Sequence, residues 1–377
     1  MAFETLSTPA LLLDQHRLDA NIDHLRTKLD AASVALRPHL KTCKSLDVAK
    51  RMIKPGRGGI TVSTLHEADY FFQGGYTDIL YAVSIVPQKL PYVKDLQDKG
   101  AIIILLLDSV EIAEQVGKFG AENDTAFPCL IEIDCDGKRA GLKPGDPAVV
   151  AVARCLDESN GVTCHGVMTH AGGSYYCQNQ DEIRAMAEQE RKAITDAATG
   201  IREAGLPCPV VSMGSTPTAY FGDNFNGVTE IRAGVYVFQD MVMEALQVCD
   251  TSQIALSVLA AVISHKKDKN RVLVDAGSLA LSADPGKKNA AGQTHYGRVC
   301  DVENCAPYPD LWISSTNQEH GLISLEGTNY SFDDFPVGSR IRILPNHACI
   351  TAAAYPGYHV TDAKGTIIDY WERSNGW

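Results

Sequence analysis

Length, composition and charge exclude several classes of protein. The chain has 377 residues, of which 45% are hydrophobic and 21% charged, and these fractions exclude a disordered or collagen-like chain. With 34 Lys and Arg residues against 46 Asp and Glu residues, the formal net charge is −12. Because an acidic surface repels phosphate groups, we expect neither a nucleic-acid partner nor a membrane-surface partner.

Apolar runs and cysteines bear on the location of the protein. The longest apolar run, residues 101–107, is far shorter than the roughly 20 residues that span a bilayer. The first residues have neither the basic nor the apolar stretch of a secretion signal. Eleven cysteines are scattered from Cys43 to Cys349 without a Cys-x-x-Cys pair, a pattern typical of reduced thiols. The sequence therefore predicts a cytoplasmic protein.

Up to about residue 250, short apolar runs alternate with amphipathic stretches. The apolar runs are continuous, as in parallel strands buried on both faces. The repeated βα units predict a closed (β/α)8 barrel, although an open doubly wound sheet has the same local pattern. The predicted strands are residues 10–13, 35–38, 60–62, 78–82, 102–107, 130–133, 166–169, 210–213 and 230–233.

After about residue 250, turn residues separate short strands and clear helical periods are missing. This pattern predicts a second, mostly antiparallel β domain, so we expect domains at 8–250 and 251–377. Two segments, 266–270 and 282–292, are predicted to be solvated loops, the second of them mobile. The predicted strands are residues 256–264, 271–275, 320–325, 339–344 and 366–370.

A lysine follows the second predicted strand, in the segment Arg-Pro-His-Leu-Lys-Thr at residues 37–42. Lys41 would lie at the carboxyl end of a barrel strand, where such barrels have their active sites. Its amine can attack an aldehyde to form a Schiff base. Taken alone, a lysine at this position is more often a surface residue.

Small hydroxyl residues follow a later strand, in the segment Met-Gly-Ser-Thr-Pro-Thr at 213–218. Glycine lets a ligand approach the backbone, and the hydroxyl and N–H groups suit a phosphate. The same residues also suit the N-cap of a helix, and the sequence leaves both interpretations open. The segment Arg-Ala-Gly-Val-Tyr at 232–236 has a similar character.

A histidine and a cysteine are two residues apart, in the segment Pro-Asn-His-Ala-Cys at 345–349. If the segment is extended, His347 and Cys349 point to the same side. Imidazole and thiolate suit zinc or a similar ion. Two protein ligands are too few for a structural site, but they would suit a catalytic ion that keeps positions open. A bare His-x-Cys pair is a weak signal alone.

Taken together in chain order, these motifs resemble those of one protein family, and the resemblance covers essentially the whole chain. Segment 37–42 resembles the lysine motif of the fold-type III pyridoxal-phosphate enzymes related to alanine racemase. Segments 214–218 and 345–349 are similar to the phosphate-binding turn and the metal motif of one branch, which contains D-serine dehydratases, D-threo-3-hydroxyaspartate dehydratases and D-threonine aldolases.

The resemblance implies a pyridoxal-phosphate barrel, a β domain joined by the N-terminal strand (residues 1–14), and a homodimer whose active sites use both subunits. Lys41 would hold the cofactor, and Arg139 would lie near its ring hydroxyl. A divalent metal (zinc, manganese, cobalt, nickel or magnesium) would be held by His347 and Cys349. The resemblance also gives Arg232 as a candidate partner of the pyridine nitrogen. The remaining residues implied to bind the cofactor are His39, Tyr175, Ser215, Thr216, Gly234 and Tyr236.

The implied reaction is the dehydration of a D-3-hydroxy amino acid, D-threo-3-hydroxyaspartate or D-serine, to a 2-oxo acid and ammonia. Lys41 would act as the base, and the metal would polarise the 3-hydroxyl. Aldol cleavage to glycine and an aldehyde is the alternative, although the aldolases resemble a His-x-Asp pair here. A non-catalytic cofactor-binding protein is the third hypothesis. For the second carboxylate of 3-hydroxyaspartate, the candidates are Lys44, Arg139 and His170.

Overall fold

The structure is a computed structural model that describes residues 3–288 and 292–377. It divides into two compact units. The barrel unit contains His24–Gly234 and Gly376–Trp377. The sheet unit contains the chain up to Asp23 and Val235–Asn375. The predicted domain boundary near residue 250 stays a prediction.

The barrel unit contains eight parallel strands. The first strand of the chain, β1 (Ala10–Asp14), belongs to the sheet unit. The spatial order of the eight barrel strands is β2-β9-β8-β7-β6-β5-β4-β3, so from β3 to β9 each strand neighbours the next one in the chain, and β2 lies beside β9. The strands are β2 (Ala35–Leu36), β3 (Ile60–Val62), β4 (Asp78–Ser84), β5 (Ile102–Leu107), β6 (Phe127–Ile133), β7 (Val162–Thr169), β8 (Val210–Met213) and β9 (Glu230–Ile231).

The ring of strands is closed by a parallel bridge between His39, which lies beyond the end of β2, and Thr61 in β3. Closure confirms the predicted barrel and excludes the open sheet. Five of the six residues of β5 are buried, because the strand has side chains packed on both faces. Apolar side chains from four neighbouring strands, β4 to β7, form one core cluster, which contains Leu80, Ile104, Leu106, Leu130 and Met168.

Helices connect the barrel strands, as the amphipathic periods predict. Their caps follow the local sequence: the Asp146 side chain accepts from the N–H of Ala148, with Pro147 at the first helical position. The helices are α1 (Gln15–Ala31), α2 (Leu46–Met52), α3 (Leu65–Gln73), α4 (Leu90–Asp98), α5 (Val110–Glu122), α6 (Pro147–Glu158), α7 (Gln180–Glu203) and α8 (Thr216–Phe221).

A nine-stranded, mostly antiparallel sheet forms the sheet unit, in the order β11-β14-β13-β12-β15-β10-β1-β16-β17. The N-terminal strand β1 joins it, parallel to β16 and antiparallel to β10. Its other strands are β10 (Leu256–Lys266), β11 (Arg271–Val274), β12 (Arg298–Cys300), β13 (Pro307–Thr316), β14 (Gly321–Ser324), β15 (Arg340–Leu344), β16 (Gly357–Thr361) and β17 (Ile367–Glu372).

The sheet unit differs from the predictions in two ways. Strands β12, β13 and β16 were not predicted, and two short helices, α10 (Ser278–Leu281) and α11 (Ala348–Ala353), interrupt the region after residue 250 where no helix was expected. A third short helix, α9 (Met241–Ala245), lies just before that region. Each helix has only four to six residues, too few for a helical period to show in the sequence. The predicted mobile loop at 282–292 lies partly outside the described residues.

No helix within residues 3–288 and 292–377 is both long enough and apolar enough to cross a bilayer.

Candidate active site

The candidate residues of the barrel unit gather where its strands end. Lys41 follows β2, His170 follows β7, Gly214 follows β8, and Arg232 follows β9. These are the carboxyl ends of parallel strands, which meet at one face of a barrel. The barrel unit therefore places an amine, an imidazole and a guanidinium around one opening.

The segment that carries Lys41 is held by backbone bonds to both neighbouring strand ends. His39 donates its N–H to Ala233 O at 2.9 Å, and Leu40 donates to Thr61 O at 2.8 Å. The Lys41 side chain is partly buried. Nδ1 of His39 is buried and has no hydrogen-bond partner within the described residues. A buried ring nitrogen without a partner points toward a site that a ligand completes.

His170 is the second imidazole of this site. Its Nδ1 donates to Gly214 O at 2.9 Å, and its ring lies 6.3 Å from that of Tyr175. Burial, then the charge of Arg139, lower the pKa of His170 to about 3. Burial and the neighbouring Lys41 lower the pKa of His39 in the same direction. Both rings are therefore neutral near pH 7.

Arg139 and Arg232 flank the site in different surroundings. Arg139 is exposed, and its Nε would be 3.4 Å from a Cβ on Gly172, so the guanidinium lies against that glycine. Arg232 is buried, donating Nη1 to Ser212 Oγ at 2.6 Å and Nη2 to Thr169 O. Burial lowers the pKa of Arg232, whereas the neighbouring carboxylates raise it.

The two interpretations of segment 213–218 were a phosphate turn and a helix cap. Ser215 is the N-cap of α8 and forms a capping box with Thr218. Gly214 has φ +128°, which favours glycine, and a Cβ there would lie 2.6 Å from Arg232 O. The cap engages the N–H groups of Ser215 and Thr218, and Pro217 has none, so the structure shows the helix-cap role and the phosphate role stays a prediction.

A buried carboxylate joins two of the loops that border the site. Glu190, on α7, accepts from the N–H of Ala171 at 2.8 Å and of Gly214 at 3.1 Å through one oxygen, Oε1. Its side chain is fully buried. Glu190 therefore fixes the loop after β7 to the loop after β8.

In the sheet unit, His347 and Cys349 are in hydrogen-bond contact with each other. The backbone between them is not extended as expected: His347 is the N-cap of α11, and Cys349 lies in its first turn. They meet because an N-cap side chain reaches toward the first turn of its helix. The two side chains are therefore adjacent, as predicted, but the prediction of an extended backbone between them was wrong.

Two carboxylates lie beside this pair. Oδ2 of Asp284 is 2.7 Å from Nδ1 of His347. Asp240 is buried and accepts from the N–H of Ala348, the residue between the two candidate ligands, at 3.0 Å. Burial lowers the pKa of His347, but Cys349, Asp240 and Asp284 together raise it to about 9. This anionic surrounding favours a cation at the pair.

The other candidates are less well placed for the predicted roles. Tyr236 is fully buried in the sheet unit, whereas Gly234 belongs to the barrel unit. A Cβ on Gly234 would lie 2.8 Å from Thr42 Oγ1. Lys44, a candidate for the second substrate carboxylate, is paired with Glu67 at 3.0 Å, so part of its charge is already compensated.

Sequence reasoning missed Glu190, Asp240 and Asp284. Glu190 did leave a signal, because it lies at helical spacing with Ile183, Ala187 and Ile194 on the buried face of α7. A carboxylate on an apolar helix face indicates a specific partner. The two aspartates leave no comparable periodic signal.

Two family models match the chain. The first, "Alanine racemase, N-terminal domain", matches residues 13–241, and the second, "Putative serine dehydratase domain", matches residues 255–361. This chain belongs to the serine dehydratase branch of the alanine racemase-related family. Enzymes of this family depend on pyridoxal phosphate. The predicted family and lyase class are confirmed.

The curated relatives are similar over nearly the full length of this serine dehydratase family member. D-threo-3-hydroxyaspartate dehydratase of Delftia sp. is 46% identical, covering 99% of this chain and 98% of the relative. D-serine dehydratase of Dictyostelium discoideum is 30% identical, with the same coverages. D-threonine aldolase of Arthrobacter sp. is 29% identical over 98% of this chain and 92% of the relative.

Solved structures agree with this placement. The Delftia dehydratase structure has a TM-score of 0.94 and covers 99% of both chains. Two variants of a D-threo-3-hydroxyaspartate dehydratase, each 45% identical to this chain, also match with TM-scores of 0.95. One replaces a cysteine by alanine and is in the metal-free form, and the other replaces a histidine two positions earlier.

Proposed function

We propose that this protein dehydrates a D-3-hydroxy amino acid, D-threo-3-hydroxyaspartate or D-serine, to a 2-oxo acid and ammonia. It would use pyridoxal 5'-phosphate and a divalent metal. The observation that carries the proposal is the contact between His347 and Cys349 in a chain 46% identical over its length to a named dehydratase. The paired histidine and cysteine variants of such a dehydratase, one of them metal-free, support the same spacing as a metal site here.

The residues around Lys41 fit a cofactor with an aldehyde and a phosphate. Lys41 would hold the aldehyde carbon through its amine. The buried Nδ1 of His39, without a partner in the described residues, offers a contact that a bound ring would complete. Arg139 would pair with the ring hydroxyl, and we keep Arg232 as the candidate partner of the pyridine nitrogen. The residues proposed to contact the rest of the cofactor are Tyr175, Ser215, Thr216, Gly234 and Tyr236.

The residues at His347 also fit a divalent metal. An imidazole and a thiolate form a donor set that suits zinc, while manganese, cobalt, nickel and magnesium remain candidates. The nearby carboxylates of Asp240 and Asp284 would offset the charge of the ion. A metal here supplies a Lewis acid for the 3-hydroxyl of the substrate.

The remaining roles in the reaction are assigned to the cofactor and to side chains of the protein. Bound pyridoxal phosphate supplies an electron sink for the α-carbon. Nζ of Lys41 takes the proton from that carbon as a general base. Neutral His170, fixed by its bond to Gly214 O, adds no positive charge beside Lys41. Loss of the α-proton and the 3-hydroxyl amounts to loss of water, and hydrolysis of the unsaturated amine releases the 2-oxo acid and ammonia.

Assembly and location are part of the proposal. We infer a homodimer in which Lys41 and the His347–Cys349 pair act on one substrate, with sites that use both subunits, as the resemblance implies. A solution mass of twice 40.8 kDa would agree with it. All eleven cysteines are present as thiols, which supports a reducing, cytoplasmic location. Neither nucleic acid nor membrane is a proposed partner.

The products distinguish dehydration from aldol cleavage. Purified protein, loaded with pyridoxal phosphate and zinc, is incubated separately with D-threo-3-hydroxyaspartate, D-serine and D-threonine. We expect oxaloacetate and ammonia from the first substrate or pyruvate and ammonia from the second. Glycine with an aldehyde, and no oxo acid from any substrate, would contradict the proposal.

Aldol cleavage is the second candidate because a D-threonine aldolase is 29% identical over most of this chain. The same metal would polarise the same hydroxyl, and the reactions differ in whether the Cα–H or the Cα–Cβ bond breaks. The thiolate of Cys349 favours the dehydratase, since the aldolases resemble a His-x-Asp pair. If none of the substrates is converted, the protein is a non-catalytic cofactor binder.

A further inference from the structure

The imidazole of His347 has a second polar neighbour besides Cys349. Nδ1 of His347 lies 2.7 Å from Oδ2 of Asp284. A carboxylate can only accept, so the Nδ1–H group donates. In the neutral form of the ring, which is the form that binds a metal, Nδ1 carries the proton and Nε2 carries the lone pair.

Asp284 is itself held in place by the residue before His347. Asn346 is fully buried, and its Nδ2 donates to Asp284 O at 3.0 Å and to His295 O at 2.9 Å. The N–H of Asp284 donates to Ser282 Oγ at 3.2 Å. Asp284 is therefore anchored through its backbone, while its carboxylate remains available to the ring of His347.

A fixed carboxylate behind a ligating histidine sets the orientation and raises the basicity of the ring. We propose that Asp284 is a positioning residue that holds His347 so that Nε2 faces the metal beside Cys349. This inference rests on the proposed metal site and adds the residue that preorganises it. It also assigns a role to Asn346, which anchors the backbone of Asp284.

The test measures metal affinity and does not depend on catalytic turnover. The cofactor-loaded protein is stripped of metal and titrated with Zn²⁺ against a chromogenic chelator, for the wild type, Asp284→Ala and Asp284→Asn. The Asp284 side chain is 50% exposed, so we expect both variants to fold. Glu326→Gln is the matched control, because it removes one exposed negative charge from the same unit.

We expect Asp284→Ala to weaken Zn²⁺ binding by roughly 10- to 100-fold. Asp284→Asn should weaken it less, because the amide oxygen still accepts from Nδ1–H. Glu326→Gln should bind like the wild type, and the visible absorbance of the bound cofactor should not change. Wild-type affinity in Asp284→Ala, or an equal loss in Glu326→Gln, would overturn the inference.

Co²⁺ separates a positioning residue from a direct ligand. If Asp284 acts through His347, the absorption spectrum of the Co²⁺-loaded Asp284→Asn variant should match that of the wild type once the site is saturated. A spectrum that shows a lost ligand would overturn the inference. Cys349→Ala tests the underlying site: if it binds Zn²⁺ like the wild type, the proposed metal site itself fails, whatever Asp284 does.

Discussion

Individual residues at the barrel opening are distinguished by their protonation. His39 and His170 are neutral because burial disfavours their charged forms and because cationic neighbours oppose a second charge. Arg139 and Arg232 provide the positive charge instead. An opening with fixed cations and neutral imidazoles suits an anionic cofactor and an amino acid with a second carboxylate.

Acid should destabilise the protein through His170. Its pKa is about 3 in the folded protein and about 6.5 when unfolded, so below pH 6.5 the unfolded chain binds the extra proton. Stability from this residue is complete above pH 6.5 and falls by up to about 1.4 kcal/mol per pH unit toward pH 3. Urea denaturation at pH 7, 6 and 5 should show a shallower pH dependence for His170→Asn than for the wild type. If the stability of the wild type and of His170→Asn fell equally steeply with pH, the His170 ring would be charged in the folded protein, which would contradict this prediction.

The residues differ in how far the sequence alone could identify them. Lys41 was predictable because it follows a strand, and His347 with Cys349 because both are metal-binding residue types. Asp284 was not, because its role depends on a contact with a residue 63 positions away. Residue type and spacing therefore predicted the groups that are proposed to do chemistry, and missed those that are proposed to orient them.

Among the elements, α7 has the clearest connection to the site. Its buried face packs apolar residues at helical spacing, with Glu190 among them. The carboxylate reaches the N–H of Ala171 and of Gly214. The helix thereby sets the distance between the loop that carries His170 and the loop that carries Ser215.

Removal of this carboxylate should destabilise the barrel unit. Glu190→Ala leaves two buried N–H groups without an acceptor, and we expect a loss of about 2–5 kcal/mol in the free energy of unfolding. Glu190→Gln retains an acceptor oxygen and should lose less. Glu203→Ala, at the exposed end of the same helix, is the control and should change little. Equal stability of Glu190→Ala and Glu203→Ala in urea denaturation would contradict the role of the carboxylate.

The strands show which elements a sequence reveals. Those of the barrel were predicted because burial on both faces requires continuous apolar runs, as in β5. β13 was missed because half of its residues are partly buried and three are exposed, which leaves no apolar run. The helix α11 was missed because its six residues are too few for a period, and its first turn is what brings Cys349 to His347.

At the scale of the whole molecule, each compact unit contains one part of the proposed chemistry. The barrel unit contains Lys41 and, apart from Tyr236, the residues proposed to bind the cofactor, and the sheet unit contains His347 and Cys349. Both parts of the chain match family models, and the relatives align over nearly the full length. The fold and family were predictable because motifs from both parts occur in one order along the chain.

The proposed reaction needs both an amine and a metal. The most direct measurement is oxaloacetate formation from D-threo-3-hydroxyaspartate by the wild type, Lys41→Ala and Cys349→Ala, with the visible absorbance of the cofactor recorded for each. We predict that Lys41→Ala loses absorbance and activity together. Cys349→Ala and chelator-treated wild type should keep the absorbance and lose activity, and zinc should restore only the wild type. Undiminished dehydration after chelation and in Cys349→Ala would contradict the account.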